Sequence, residues 1–208
     1  MDGLVSNVGL IAGIAAAGAA PGIVAITGIS GLIAGAISMA LGEYVSVASQ
    51  RDTERSDIAK ETWELEHQSD MELEELTAIY SARGLTPELA RDVAVQLTAH
   101  DALATHLRDE LGISVDTLAR PMQAAVSSAL AFGVGAAVPM ATAAIAGFGQ
   151  RIVAILGASL VALIVLGFVG ARAGGAHPRR PIVRVLVGGV LAMLLTMLVG
   201  KLFGAVVA

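Results

Sequence analysis

Apolar and polar positions divide this 208-residue chain into long blocks. Asp2 to Ala20 is apolar, Ala20-Pro21-Gly22 breaks the run, and Ile23 to Val47 is apolar again. Three further apolar stretches follow: Pro121 to Phe148, Ile152 to Ala171 and Pro181 to Val207. At ~1.5 Å of rise per residue, runs of this length cross, or nearly cross, a hydrocarbon core of ~30 Å. Gly149-Gln150-Arg151 and the loop from Arg172 to Pro181 are the joints between the last three. Pro139 should loosen its helix by removing a backbone donor, a break that buried helices can re-satisfy locally. The pattern predicts an all-α polytopic membrane protein with five spans, two within residues 1–49 and three within 121–208.

Residues 50–120 read differently: polar, and helical in period. Ser69-Asp70-Met71-Glu72 has the form of a capping box and should open a helix. Leu73, Leu76, Ile79 and Tyr80 give that helix an apolar stripe, and Arg83-Gly84 ends it. Thr86-Pro87-Glu88 starts another, with proline in its first turn. This second helix should reach about Leu111, with an interruption near His100-Asp101, before Gly112 stops it.

Composition sharpens the division. Hydrophobic residues make up 55% of the chain and charged ones 15%, against about 25% charged in soluble domains. The 24 glycines suit close helix packing in lipid. Cysteine is absent, which removes thiolate sites and disulfides. Sixteen of the 18 acidic residues, but only seven of the 13 basic ones, fall between Gln50 and Pro121. Arg172, Arg179, Arg180 and Arg184 flank the last two spans, so the positive-inside rule puts their loop in the cytoplasm. Counting back through five spans places the polar insert and the N-terminus there too, in agreement with Arg51 and Arg55. A signal peptide is disfavoured at the start, where a basic segment is missing and Asp2 has the wrong charge.

The insert carries Glu61, Glu64, Glu72 and Glu75, two i, i+3 pairs offset by eleven residues. On one unbroken helix the pairs would share a face but lie ~16 Å apart, so a single cluster needs a chain reversal between them. His106 and Glu110 add an i, i+4 pair further on. Carboxylates brought together repel unless cations lie between them. Oxygen ligands suit Mg²⁺, Mn²⁺ or Fe²⁺, and an imidazole shifts preference towards transition metals. The competing interpretation is a solvated acidic face, with Glu72 only a cap. Glu64-x-x-His67 has the form used in di-iron carboxylate bundles, which need two such motifs; this chain has one.

Within the spans, Met39 and Glu43 are i, i+4 on one face, and Asp2 opens the first apolar run. Ionisable residues in a span usually face a bundle interior or a wet path. A carboxylate with a thioether would favour Fe²⁺ over Ca²⁺. Against this, Met39 could be core packing, Glu43 could sit at the interface, and Asp2 could complement a helix dipole.

The segments Asp2-Gly3-Leu4-Val5-Ser6-Asn7 and Ile37-Ser38-Met39-Ala40-Leu41-Gly42-Glu43-Tyr44-Val45-Ser46-Val47, the spaced glutamates and Glu110-Leu111-Gly112 resemble the vacuolar iron transporter family. That family includes the yeast Ca²⁺-sensitive cross-complementer and plant nodulin-like proteins. The resemblance covers nearly the whole chain, and the Ala- and Gly-rich composition leans towards a bacterial member. It implies a homodimer with five membrane helices per subunit, exchanging cytosolic Fe²⁺, often also Mn²⁺, for protons along the dimer interface. It further implies a path lined by the residues matching Asp2 and Met39, and a cytoplasmic helical domain binding metal through Glu61, Glu64, Glu72, Glu75 and Glu110. Two departures stand out. His106-Leu107 occupies a place where family members can have methionines. Residues usually precede the Asp-Gly pair, where this chain has only Met1, which puts Asp2 at the very end of its helix.

The expected function is export of divalent metal, Fe²⁺ with Mn²⁺ and Zn²⁺ as further candidates, by proton antiport. Metal would be captured by the glutamates and His106 and passed along Asp2, Met39 and Glu43. No prosthetic group, nucleic acid or catalytic reaction is expected, and no phosphate-binding loop suggests ATP-driven pumping. The membrane would be the plasma membrane in a bacterium and the vacuole in a eukaryote. A membrane-tethered metal buffer or sensor is the alternative.

Overall fold

The computed structural model describes residues 1–114, 117–146 and 148–207, and among them every regular element is helical. The helices are α1 (Asp2–Ala16), α2 (Pro21–His67), α3 (Ser69–Ala82), α4 (Pro87–Asp109), α5 (Pro121–Ile145), α6 (Arg151–Ala173) and α7 (Arg179–Val207), with a 3₁₀ turn at Phe148–Gln150 before α6. The chain divides into two compact units. One comprises Met1–Glu43 and Gln123–Ala208, the other Tyr44–Met122.

Among the described residues, four helices are long and apolar enough to cross a membrane: α2, α5, α6 and α7. The first apolar run yields only the 15-residue α1, about 22 Å long. It ends where Gly18 turns left-handed at φ 84° and Pro21 opens the next helix. α2 continues through 47 residues, about 70 Å. Its N-terminal half is apolar and its C-terminal half polar, and nothing between Gly42 and His67 is glycine or proline. The second apolar run and the first polar helix are therefore one element.

In the first unit α1 packs on α7 and α6, and α6 on α7. Leu4, Val8, Ile11, Ile155, Leu163 and Met193 are among the core residues. Glycines set the spacing: a Cβ at Gly3 would overlap the Phe132 carbonyl, and one at Gly200 would overlap the backbone of Gly13. Such backbone approach is how helices associate in lipid, where apolar burial gives little drive. Asn7 is fully buried and donates from Nδ2 to the Ala136 carbonyl at 3.1 Å. Ile26, Leu41, Val134, Ile145 and Val153 are each 60% or more exposed, an outward apolar surface that water would penalise and lipid would not.

In the second unit α3 and α4 pack through Leu76, Tyr80, Ala90 and Ala94. The expected capping box at Ser69 does not form. Gln68 is the N-cap, without a side-chain cap bond, and at φ −134° it breaks the helical path between α2 and α3. Arg83-Gly84 ends α3 as expected, with Gly84 at φ 102°. Thr86 caps α4 by accepting from the Leu89 amide at 3.4 Å, and Pro87 follows in the first turn. α4 is interrupted at Asp101 (φ −160°, ψ 94°).

Candidate metal centre

Three helices of the second unit bring Glu61, Glu72, His106 and Glu110 together. Glu61 lies on α2, at least a dozen residues beyond its apolar half. Glu72 comes from the first turn of α3, His106 from the last turn of α4, and Glu110 is the α4 C-cap. The break at Gln68 supplies the chain reversal that the eleven-residue offset required. One ligand atom from each of the four lies within 4.8 Å of all the others.

His106 Nδ1 is the centre of the group. It stands 3.1 Å from Glu61 Oε1, 3.3 Å from Glu110 Oε2 and 3.7 Å from Glu72 Oε2. A shell of ligands at ~2.1 Å from a small divalent cation has ligand–ligand edges of about 3.0–3.4 Å, so the set is close to the size such an ion needs. His106 is 0% exposed, Glu61 2% and Glu72 5%. Buried carboxylates in such numbers are costly unless a cation or proton accompanies them. Burial and then the nearby Glu110 raise the Glu61 pKa to about 7, with His106 opposing the rise. Glu72 is also raised, by burial first and then by Glu75 and Glu64. Glu61 Oε1 is buried without a hydrogen-bond partner, as is His106 Nε2. A carboxylate oxygen buried in this way is stabilised by a positive charge beside it.

Glu64 and Glu75 do not join this group. Glu64 is half-buried and paired with Lys60 at 3.1 Å. Glu75 is exposed and adjoins Glu72 electrostatically. His67, of the Glu64-x-x-His67 motif, stacks on Trp63 at 4.7 Å between centroids and contacts the Trp63 carbonyl through Nδ1. In the first unit, Asp2 is exposed in the first turn of α1 and accepts from Ser6 Oγ at 3.1 Å. Met39 is half-buried and Glu43 exposed, both on α2. Among the described residues, no hydrogen bond or ion pair links Asp2 to either of them.

Asp109 was not singled out by sequence pattern. It accepts from Tyr80 Oη at 2.7 Å, Arg83 Nη1 at 3.0 Å and Arg108 Nη2 at 2.8 Å. These donors, Arg108 foremost, hold its pKa well below the usual carboxylate range. Its sequence neighbours distinguish it from no other acid of the insert, so only the tertiary contacts reveal it.

The class defined by these features is an integral membrane protein of apolar helices, joined to a polar unit of three helical segments that encloses a three-carboxylate, one-imidazole cluster. A sequence model of the VIT family matches residues 1–201, and the chain belongs to that family. It is 46% identical over 188 residues to a protein of Acanthamoeba castellanii named vacuolar iron transporter, covering 90% of this chain and 72% of that one. It is 35% identical over 204 residues to vacuolar iron transporter homolog 2 of Arabidopsis thaliana, covering 98% and 80%. A third relative, vacuolar iron transporter homolog 5 of Oryza sativa, is 35% identical over 205 residues, covering 98% and 76%.

Proposed function

We propose that this protein carries divalent metal, Fe²⁺ first and Mn²⁺ as a second substrate, out of the cytosol in exchange for protons. The observation that carries the reading is the buried cluster of Glu61, Glu72, His106 and Glu110, whose ligand atoms converge within 4.8 Å. The relatives named as iron transporters support the cargo. Zn²⁺ fits the imidazole but has less support from the three carboxylates.

The cluster is the capture site on the cytoplasmic side. Glu64 and Glu75 at its margin add negative potential that attracts cations towards it. Asp2, Met39 and Glu43 line the path, with α1 as the fifth span and a homodimer providing its two walls. Metal and protons compete for the same carboxylates, so proton uptake releases metal and no separate proton site is needed. This is transport rather than enzymatic catalysis, with metal as cargo.

A tethered metal buffer or sensor is the second reading. It is favoured by one observation: the assembled ligand group lies outside the apolar part of the chain. Liposomes containing the protein and an internal pH dye separate the two. Transport predicts a pH change on adding Fe²⁺ or Mn²⁺, lost in Met39→Ala. A tethered buffer predicts metal binding with no pH change inside.

A further inference from the structure

His106 and Glu110 ride on a piece of α4 that is structurally separate from the rest of it. At Asp101 the backbone leaves the helical region, so residues 102–109 are a short helix of their own. Two turns of helix have little intrinsic stability in water. Something must hold this segment at the angle that aims His106 at Glu61 of α2 and Glu72 of α3.

Each end is held by an aspartate that is not itself in the cluster. At the start, Asp101 Oδ1 accepts from the Ala104 amide at 2.9 Å, a side-chain N-cap on the new helix. At the finish, Asp109 is tied to α3 from two sides: Tyr80 Oη reaches Oδ2 at 2.7 Å and Arg83 Nη1 reaches Oδ1 at 3.0 Å. Arg83 Nη2 also donates to the Asp109 carbonyl at 2.9 Å, fixing backbone as well as side chain. Arg83 in turn lies over the Tyr80 ring, 5.6 Å from its centroid. Arg108 completes the set at 2.8 Å. Asp109 sits directly between the two ligands, three residues after His106 and one before Glu110. Glu72 stands on the same helix as Tyr80, and Arg83 is the C-cap of that helix, so the ties to Asp109 fix this turn relative to the element that carries Glu72.

We propose that Asp101 and Asp109 are positioning residues for the metal cluster, fixing segment 102–109 at both ends so that His106 and Glu110 meet Glu61 and Glu72. The inference rests on the reading of the cluster as a metal site. It adds that this site's affinity is set by two carboxylates that touch no metal.

The test uses purified full-length protein in detergent with Co²⁺ as probe, because its visible absorption reports the ligands it holds. Asp109→Asn should bind Co²⁺ about 10-fold or more weakly, at unchanged stoichiometry, with a weaker and shifted visible band. Tyr80→Phe removes one tie and leaves the ring packed, so it should lie between Asp109→Asn and wild type. Asp101→Ala should behave like Asp109→Asn. Glu61→Gln, a ligand change, is the reference for loss of the site. If Glu61→Gln loses Co²⁺ while the other three keep wild-type affinity and spectrum, the positioning role is wrong and the site stands. If wild type holds no Co²⁺, both fall. Should Asp109→Asn fail to fold, Tyr80→Phe and Asp101→Ala decide. Weakening that follows a loss of metal-free melting temperature in every variant would make these contacts structural only and overturn the proposal.

Discussion

Glu61→Gln tests the electrostatics of the cluster directly. Glu61 is 2% exposed, and its carboxyl is raised from 4.5 to about 7. The groups facing it are Glu64 on its own helix, Glu72 from α3, and His106 and Glu110 from α4. A folded-state pKa above the unfolded one means that folding favours the protonated form. The associated stability is fully present below about pH 4.5 and is lost as pH rises through about 7. The full linkage is on the order of 3 kcal/mol, of which about 1 kcal/mol is recovered between pH 8 and pH 6. Glu72 is raised as well and adds to the slope. Metal-free protein should therefore be more stable to urea at pH 6 than at pH 8 by at least about 1 kcal/mol. Trp63, the only tryptophan, lies two residues along α2 and gives the fluorescence signal. Glu61→Gln should be more stable than wild type at pH 8 and should lose most of the difference between the two pH values. Mn²⁺ should reverse the order, stabilising wild type more at pH 8 because metal binds the deprotonated site. Equal stability of metal-free wild type at the two pH values, or a slope that is undiminished in Glu61→Gln, would refute the burial argument.

Three other outcomes follow from particular contacts. Met39→Ala should lower Mn²⁺ flux into proteoliposomes several-fold while equilibrium Mn²⁺ binding stays at wild-type affinity, because the cluster is in the other unit; flux at the wild-type rate removes Met39 from the path. Gly3→Ala drives a methyl into the Phe132 carbonyl, an overpacking of about 1–3 kcal/mol, so the melting temperature in detergent should fall. Thr86→Ala removes the acceptor for the Leu89 amide and should cost about 1 kcal/mol in urea unfolding, with transport intact.

Much of the architecture was legible because its determinants are local. Apolar runs bounded by Pro21, Pro121 and the basic loop before Pro181 mark helices whatever they pack against. Gly84 and Thr86-Pro87 set their helix boundaries through φ and one side-chain bond. The interruption at Asp101 also showed in the pattern. Local reasoning failed at Ser69, where the S-x-x-E pattern fits a capping box. There Gln68 takes the cap position without a side-chain cap bond, and Glu72 faces His106 and Glu61 instead, a placement set by helices distant in sequence. It also failed to show that α1 stops at Ala16, or that the second apolar run and the first polar helix are continuous.

The residue pattern alone carried the division into apolar helices and a polar helical insert, the sign of the charge on that insert, and a pool of glutamates and one histidine with ligand chemistry. Which of them meet was decided only by the tertiary structure. Glu61, Glu72 and His106 are separated by 11 and 34 positions, and their distances depend on the reversal at Gln68, on the packing of Leu76 and Tyr80 against Ala90 and Ala94, and on the ties from Asp109 to α3. Helical spacing fixes which residues share a face of one helix. It carries no information on the angle between two helices, and a cluster drawn from three of them depends on those angles.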